Sequence, residues 1–222
     1  MERKVVLTKD GSSSIFLPEW QEHYHSSHGA IQEAFHVFIR NGFDLFKGRA
    51  KIKVLEIGYG TGLNAFITYL ESKQSGIEVD YVGIEAFPVN PDEVQRLNFV
   101  EQLGVPTEKH VFLAMHEDPW DTKNQYDQTF FLTKRKQFFQ ETIDKEAFDL
   151  IYFDAFGARV QPELWTEIIF KKMYEALVPG GVLVTYAAKG SVRRAMLAVG
   201  FEVEKLPGPP GKREMLRAKK NN

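Results

Sequence analysis

Two acids in this sequence fall where strands should stop, and a third sits just ahead of a cluster of glycines. The run Phe148-Asp149-Leu150-Ile151-Tyr152-Phe153 is, Asp149 apart, short and apolar in the manner of a buried strand, and it ends on Asp154. A glycine-containing loop then leads to Pro162 and an amphipathic stretch. Glu85 ends a second such run, EVDYVGIEA. A strand-end acid often does no more than cap a helix or face water, so residue type alone decides nothing.

The glycines add context. The stretch Glu56-Ile57-Gly58-Tyr59-Gly60-Thr61-Gly62-Leu63-Asn64 follows a strand-like run and precedes a helix-like one. Glycines there allow a tight turn and let a ligand lie against the main chain. The spacing is GxGxG, whereas dinucleotide sites favour GxGxxG with a pyrophosphate at the helix N-terminus. A carboxylate at the position of Glu85 can accept both hydroxyls of a ribose. The combination suggests an adenosyl ligand without a diphosphate, and S-adenosyl-L-methionine (SAM) fits. Candidate cofactor-binding residues are therefore Glu56, Gly58, Gly60, Gly62, Asn64 and Glu85. Asp154, on a strand expected beside the glycine-loop strand, would look into the same crevice.

The elements that position these residues alternate. IKVLEIG, EVDYVGIEA, about Thr129 to Arg135, FDLIYFD and GGVLVTYAA read as strands. Between them, Leu63 to Ser72, Pro91 to Leu103, Gln137 to Ile143, Pro162 to Leu177 and Ser191 to Val199 read as helices, with Leu164, Trp165, Ile168, Ile169 and Met173 facing inward. FEVEKL and REMLRA, joined without a helix, should form an antiparallel hairpin. Pro106 to Gln128 is the least regular stretch and reads as an insertion. This order implies an α/β protein with a mostly parallel sheet and helices on both faces. At the N-terminus, Val5–Leu7 and Ile15–Leu17 suggest a hairpin, followed by a helix from about Ala30 to Phe46. One domain over 1–222 is expected, with 1–48 an extension and lid and 49–222 the core.

Bulk properties exclude several classes. Hydrophobic residues at 43% and charged residues at 26% are ordinary for a globular chain. There is no cysteine, so disulfides, thiolate metal sites and cysteine nucleophiles are out. The polar start MERKVVLTKDGSSS is unlike a signal peptide, and no apolar run approaches the roughly 20 residues of a membrane span. A cytoplasmic protein is the expectation. The net charge is −2, yet nine Lys or Arg face three Glu from Tyr186 onward. Arg193, Arg194, Lys212 and Arg213 are thus candidates for a phosphate-binding face, a solvated surface being the plainer reading. His23, His25 and His28 lack the spacing and carboxylate partner of a metal site, so no metal is expected. Tyr24 to Glu33 is better suited to a lid over the methionine end of SAM.

LEIGYGTGLN, VGIEAFP, DAFGARVQPELW, LVPGGVLVTYAAKGSVRRAML and GFEVEKLPGPPGKREML, in this order from about Tyr24 to Ala218, together resemble the methyltransferase domain of MnmC-type enzymes. The glycine loop is shared with many SAM enzymes; the DAF…QPELW and GKREML blocks are more specific. The resemblance implies a Rossmann-like, mostly parallel seven-stranded fold and a SAM-dependent methyltransferase acting on the exocyclic amine of 5-aminomethyl-(2-thio)uridine at the tRNA wobble position, with tRNA bound through its anticodon region. Bifunctional relatives carry a flavin oxidase that exposes the amine. Here a stand-alone methyltransferase is expected, with a separate enzyme supplying the aminomethyl group. Asp154 would orient the amine and accept its proton, and Phe156 would stack on the base.

Two departures from the pattern matter. The family loop often reads D-[GA]-F-[AS]-P, whereas Gly157 and Ala158 stand at its last two positions. Many SAM enzymes bind the adenine amine with an acid after the third strand; Gln137 is the nearest match, with Asp118 an acidic alternative in the irregular stretch. The competing readings are a small-molecule amine methyltransferase, a non-catalytic SAM-binding subunit, and an aminopropyltransferase resembling spermidine synthase. Against the last, Arg159 would repel a cationic substrate.

Overall fold

The protein is described by a computed structural model over residues 2–221. Its sheet is built on strands whose neighbouring side chains go to opposite faces, as the pleat requires. In β4 (Lys51–Ile57) and β8 (Phe148–Phe153), Val54, Leu150 and Tyr152 pack into one core, while Leu55, Ile57, Ile151 and Phe153 pack into another. Two faces must then be covered. Helix α2 (Leu63–Ser75) contributes Leu63, Phe66 and Tyr69 to the first core. Helices α6 (Glu167–Ala176) and α7 (Gly190–Ala198) contribute Ile169, Phe170, Met173, Val192 and Met196 to the second. Burying each such side chain is worth roughly 1.5–3 kcal/mol.

The remaining strands are β5 (Glu78–Ile84), β6 (Lys123–Gln125), β7 (Phe130–Arg135), β9 (Leu177–Thr185), β10 (Glu202–Pro207) and β11 (Glu214–Lys219). The order across the sheet is β10-β11-β9-β8-β4-β5-β7-β6. The central pairs from β9 to β7 are parallel; β10–β11, β11–β9 and β6–β7 are antiparallel. All seven expected strands are present, and β6 adds an eighth at the edge. It comes from the stretch read as an irregular insertion, which also holds a further helix, α5 (Lys109–Glu117). That helix buries Val111, Phe112 and Met115 at helical spacing, a pattern the polar residues around it obscure.

Before the sheet, β1 (Lys4–Leu7), β2 (Ser13–Leu17) and β3 (Glu22–His23) make a small antiparallel sheet, one strand more than the expected hairpin. The expected helix after it starts as α1 (Ala30–Ala34), widens into a π-helical turn over Phe35–Arg40, and ends in a 3-10 turn, Phe43–Phe46. Pro91 to Leu103 is likewise two short turns, α3 (Pro91–Val94) and α4 (Phe99–Gln102). Asn98 interrupts them. Its side chain accepts from Ser13 N at 2.8 Å and donates to the Gly11 carbonyl at 2.9 Å, fastening the N-terminal sheet to the core.

Two other expectations are corrected. Gln137 to Ile143 holds only a 3-10 turn, Phe139–Glu141. The stretch from Pro162 forms a 3-10 turn before α6, and that break rotates Ile168 outward to 73% exposure while Phe170 takes the buried position at 0%. Phe170→Ala should cost about 3–5 kcal/mol and Ile168→Ala no more than about 0.5 kcal/mol. Denaturant unfolding of the two variants checks the assignment; similar losses would contradict it.

Candidate active site

Parallel pairing places the key residues. β4 and β8 run side by side with Ile57 opposite Phe153, and Asp154 N donates to the Ile57 carbonyl at 2.9 Å, carrying the pairing one residue further. The chain leaves β4 towards β5 on one side and has β8 on the other, so the strand order reverses here, and a crevice opens at the carboxyl ends. It measures about 970 Å³.

The glycine loop crosses its floor, and the three glycines do different jobs. Gly58, at φ 93°, could carry no Cβ, which would lie 2.6 Å from the Asp154 carbonyl oxygen. Gly60 faces the Tyr24 ring. Gly62, at φ 69°, starts α2 and is packed against His116 and Tyr59, so it shapes the turn without lining the crevice.

Glu85 is held at the tip of β5. Its two oxygens accept from Gly60 N at 3.1 Å and Phe87 N at 2.9 Å. Beside it the exposed rings of Phe87 and Phe138 meet edge to face at 5.8 Å, and both line the crevice. Six acids line it in all, among them Glu22, Glu33, Glu85 and Asp154, against the cations Arg3 and Lys212. Arg3 is spent on the Phe87 and Pro88 carbonyls and on Glu93. A glycine-floored, acid-rich crevice fits a ligand carrying a ribose and positive charge, and SAM has both. Glu85, Gly58 and Gly60 are the residues that would hold it.

Asp154 is partly open to the crevice yet deep within the protein. Asn64 Nδ2 donates to its Oδ2 at 2.9 Å and to Glu56 Oε1 at 2.9 Å. Burial, and next the negative charge of Glu33, push the Asp154 carboxyl up to about 7; the Asn64 hydrogen bond and then Lys212 act the other way. Glu56 is wholly buried and does not line the crevice, so it is not placed to touch a ligand there. Burial holds its carboxyl well above the usual range.

Around Asp154 stand aromatic residues from distant parts of the chain. Phe156 meets Trp20 at 5.5 Å and Tyr24 at 5.0 Å, edge to face in both cases. Tyr186 donates its hydroxyl to the Ala155 carbonyl at 2.8 Å. Lys212 pairs with Glu33 and lies 3.8 Å above the Tyr186 ring, closing the C-terminal hairpin against α1. His25 bonds Thr61 Oγ1 at 3.0 Å, and burial lowers it to about 4, so this link between the N-terminal segment and the glycine loop is uncharged at neutral pH.

Several expected positions fall elsewhere. Gln137 does not line the crevice; Phe138, Phe139 and Gln140 do. Asp118 accepts from the Tyr126 hydroxyl at 2.8 Å and also lies outside. Of the four basic candidates only Lys212 lines the crevice, with its charge engaged, while Arg193, Arg194 and Arg213 lie outside it. Arg159 donates to the Trp20 and Gln21 carbonyls and to Glu22. It does not line the crevice either, so it presents no barrier to a cation there. Trp20, Tyr186 and the contact between Glu33 and Lys212 were missed; Tyr24 and Glu33 carried a signal as ends of the expected lid, and Lys212 as a candidate for phosphate binding.

Residues 126–221 match the model of a family described as S-adenosyl-L-methionine-dependent methyltransferase. The sheet and the crevice define a Rossmann-like α/β fold, and its second half is the part similar to this family. Over 96% of its length the chain is 29% identical to the tRNA 5-methylaminomethyl-2-thiouridine biosynthesis bifunctional protein MnmC of Cupriavidus metallidurans, covering 33% of that protein. It is also 29% identical to the protein of the same name from Leptospira interrogans, over 95% of this chain and 34% of that one. The chain thus spans about a third of the length of these relatives. The solved structure of MNMC2 from Aquifex aeolicus superposes with a TM-score of 0.74 at 24% identity, covering 98% of this chain and 70% of that one. Spermidine synthase from Thermotoga maritima shares the fold, with a TM-score of 0.62 at 15% identity over 99% of this chain and 69% of that one.

The raised Asp154 carboxyl has a consequence for stability. The folded protein holds this proton more tightly than the unfolded chain, whose ordinary value is 3.8, so ionisation costs folding energy as pH rises from about 4 through 7. Asp154→Asn should melt no lower than wild type at pH 8, and its advantage should shrink towards pH 4. Thermal unfolding across that range checks it; a lower melting temperature at pH 8 would make Asp154 a structural cap.

Proposed function

We propose that this chain methylates the exocyclic amine of 5-aminomethyl-(2-thio)uridine at the wobble position of tRNA. The observation that carries the reading is Asp154: a carboxyl poised near neutrality, at a strand tip beside a glycine loop, in an acid-rich crevice. The relatives' names, which concern biosynthesis of the methylated form of this nucleoside, support the substrate.

SAM, when bound, supplies an electrophilic methyl group on a cationic sulfur. The chain's own residues prepare the amine. An aminomethyl group is largely protonated in water and has no free lone pair until a proton leaves. The Asp154 carboxylate orients the ammonium group and accepts its proton, which frees the nitrogen lone pair for methylation. Glu85 holds the ribose, and Gly58 and Gly60 admit the ligand against the main chain. Phe156, braced by Trp20 and Tyr24, stacks on the uracil ring. Residues 1–48 serve as extension and lid to a core of 49–222 within one domain. Arg194 and Arg213, both exposed, are the cations left to meet phosphates of the anticodon region. Such an enzyme works in the cytoplasm, where a separate enzyme exposes the amine; no described helix is long and apolar enough to cross a membrane.

An aminopropyltransferase is the second reading, favoured by the excess of acids in the crevice and by Arg159 lying outside it. Methyl transfer from SAM to bulk tRNA lacking this modification, run beside putrescine with decarboxylated SAM, separates the two. The proposal expects product only with tRNA, and transfer to putrescine would overturn it. Asp154→Asn should lower turnover on tRNA by roughly 10²–10⁴-fold. Glu85→Ala should instead weaken SAM binding by roughly 1.5–3 kcal/mol in calorimetry, and unchanged affinity would remove Glu85 from the site.

A further inference from the structure

Asn64 and Glu56 stand in the glycine loop region, where a ligand contact is the ordinary expectation, yet their polar atoms are turned on each other and on Asp154. The Asn64 amide nitrogen has two hydrogens, and each has a carboxyl acceptor: Glu56 Oε1 at 2.9 Å and Asp154 Oδ2 at 2.9 Å. With an acceptor on both sides, the amide has one sensible orientation, since its oxygen in either place would face another oxygen. Asn64 is itself anchored in the first turn of α2, where its carbonyl accepts from the Thr68 hydroxyl at 2.6 Å. Glu56 comes from the penultimate residue of β4 and Asp154 from just past β8, so the amide spans the ends of two paired strands.

We propose that Asn64, locked by Glu56, is a positioning residue that fixes Asp154 through Oδ2 and leaves Oδ1 for the incoming amine. Among the described residues nothing hydrogen-bonds Asp154 Oδ1, while the residue lines the crevice. The arrangement works only if the two acids differ in charge, because two carboxylates sharing one amide would repel. Burial separates them: Glu56, wholly enclosed, keeps its proton while Asp154 titrates near neutrality. The Glu56 proton belongs on Oε2. That oxygen is buried near the Tyr81 hydroxyl, and neither atom makes a hydrogen bond of ordinary geometry. Glu56 thus acts through Asn64, as a neutral acceptor, and does not touch substrate.

This inference deepens the amine-methylation reading and rests on it for the use of Oδ1, but its test needs neither methyl donor nor tRNA. The side-chain carboxyl of Asp154 can be titrated by carbon-13 NMR in the full chain, its resonance identified by loss in Asp154→Asn. Asn64→Ala removes a donor that favours the carboxylate, so the midpoint should rise by roughly one pH unit. Asn64→Leu, which keeps the heavy-atom count and the branching at Cγ, should shift it in the same direction if the alanine variant fails to fold. Glu56→Gln keeps an acceptor oxygen for Asn64 without a charge, and should leave the midpoint within roughly 0.3 unit of wild type. On tRNA, a one-unit rise from about 7 predicts a deficit of about fivefold at pH 7 that fades by pH 9. An unmoved midpoint in a folded Asn64 variant, or a rate loss equal at every pH, would overturn the positioning role. Failure of the tRNA reading would show differently, as absent methylation by wild type with the NMR shifts intact.

Discussion

Parallel pairing of β4 with β8 is the constraint from which the crevice follows. It sets Ile57 opposite Phe153, and the next backbone hydrogen bond, from Asp154 N to the Ile57 carbonyl, delivers the carboxylate to the carboxyl end of the sheet. The same closeness leaves no room for a Cβ at position 58, so the first glycine of the loop is demanded by the neighbouring strand as much as by any ligand. α2 then begins at Gly62 and brings Asn64 back over both strand ends. Acid, amide and glycine loop are one geometric unit.

Electrostatics gives that unit its character. A crevice whose charged lining is mainly acidic attracts positive charge, and the Glu33–Lys212 pair on the Tyr186 face tempers it beside Asp154. Glu33 raises the Asp154 carboxyl and Lys212 lowers it, but burial is the largest influence. A carboxylate at its ordinary value would be a feeble base towards an ammonium group. One displaced towards neutrality is better matched to taking a proton at physiological pH. The cost is borne by the surrounding fold, whose two cores cover opposite faces of the strands that carry the acids.

The sheet was legible because its strands are nearly unbroken apolar runs separated by helical periodicity, and because β8 ends abruptly on Asp154. That Glu85, Gly58 and Gly60 would lie at one crevice was legible from position. What was hidden depends on contacts across the chain. Lys212 meets Glu33 across a separation of 179 residues, and nothing in either neighbourhood signals it. Asn98 breaks a helix because its amide is needed by Ser13 and Gly11, far away in the N-terminal sheet. Glu56 looked like a ligand contact because it precedes the glycines, yet the pleat sends it into the core. Gln137 was placed by analogy with an acid after the third strand, and the chain beyond β7 turns other side chains to the crevice.

The account stands on Asp154 serving as the proton acceptor for an amine nucleophile. Its most direct test is the single-turnover rate of methyl transfer to tRNA carrying 5-aminomethyl uridine, measured from pH 5.5 to 9 with saturating SAM. The rate should climb with a midpoint at about 7, the value at which Asp154 ionises in this crevice. A rate that stays flat through that midpoint, in a protein that binds both SAM and tRNA, would contradict it.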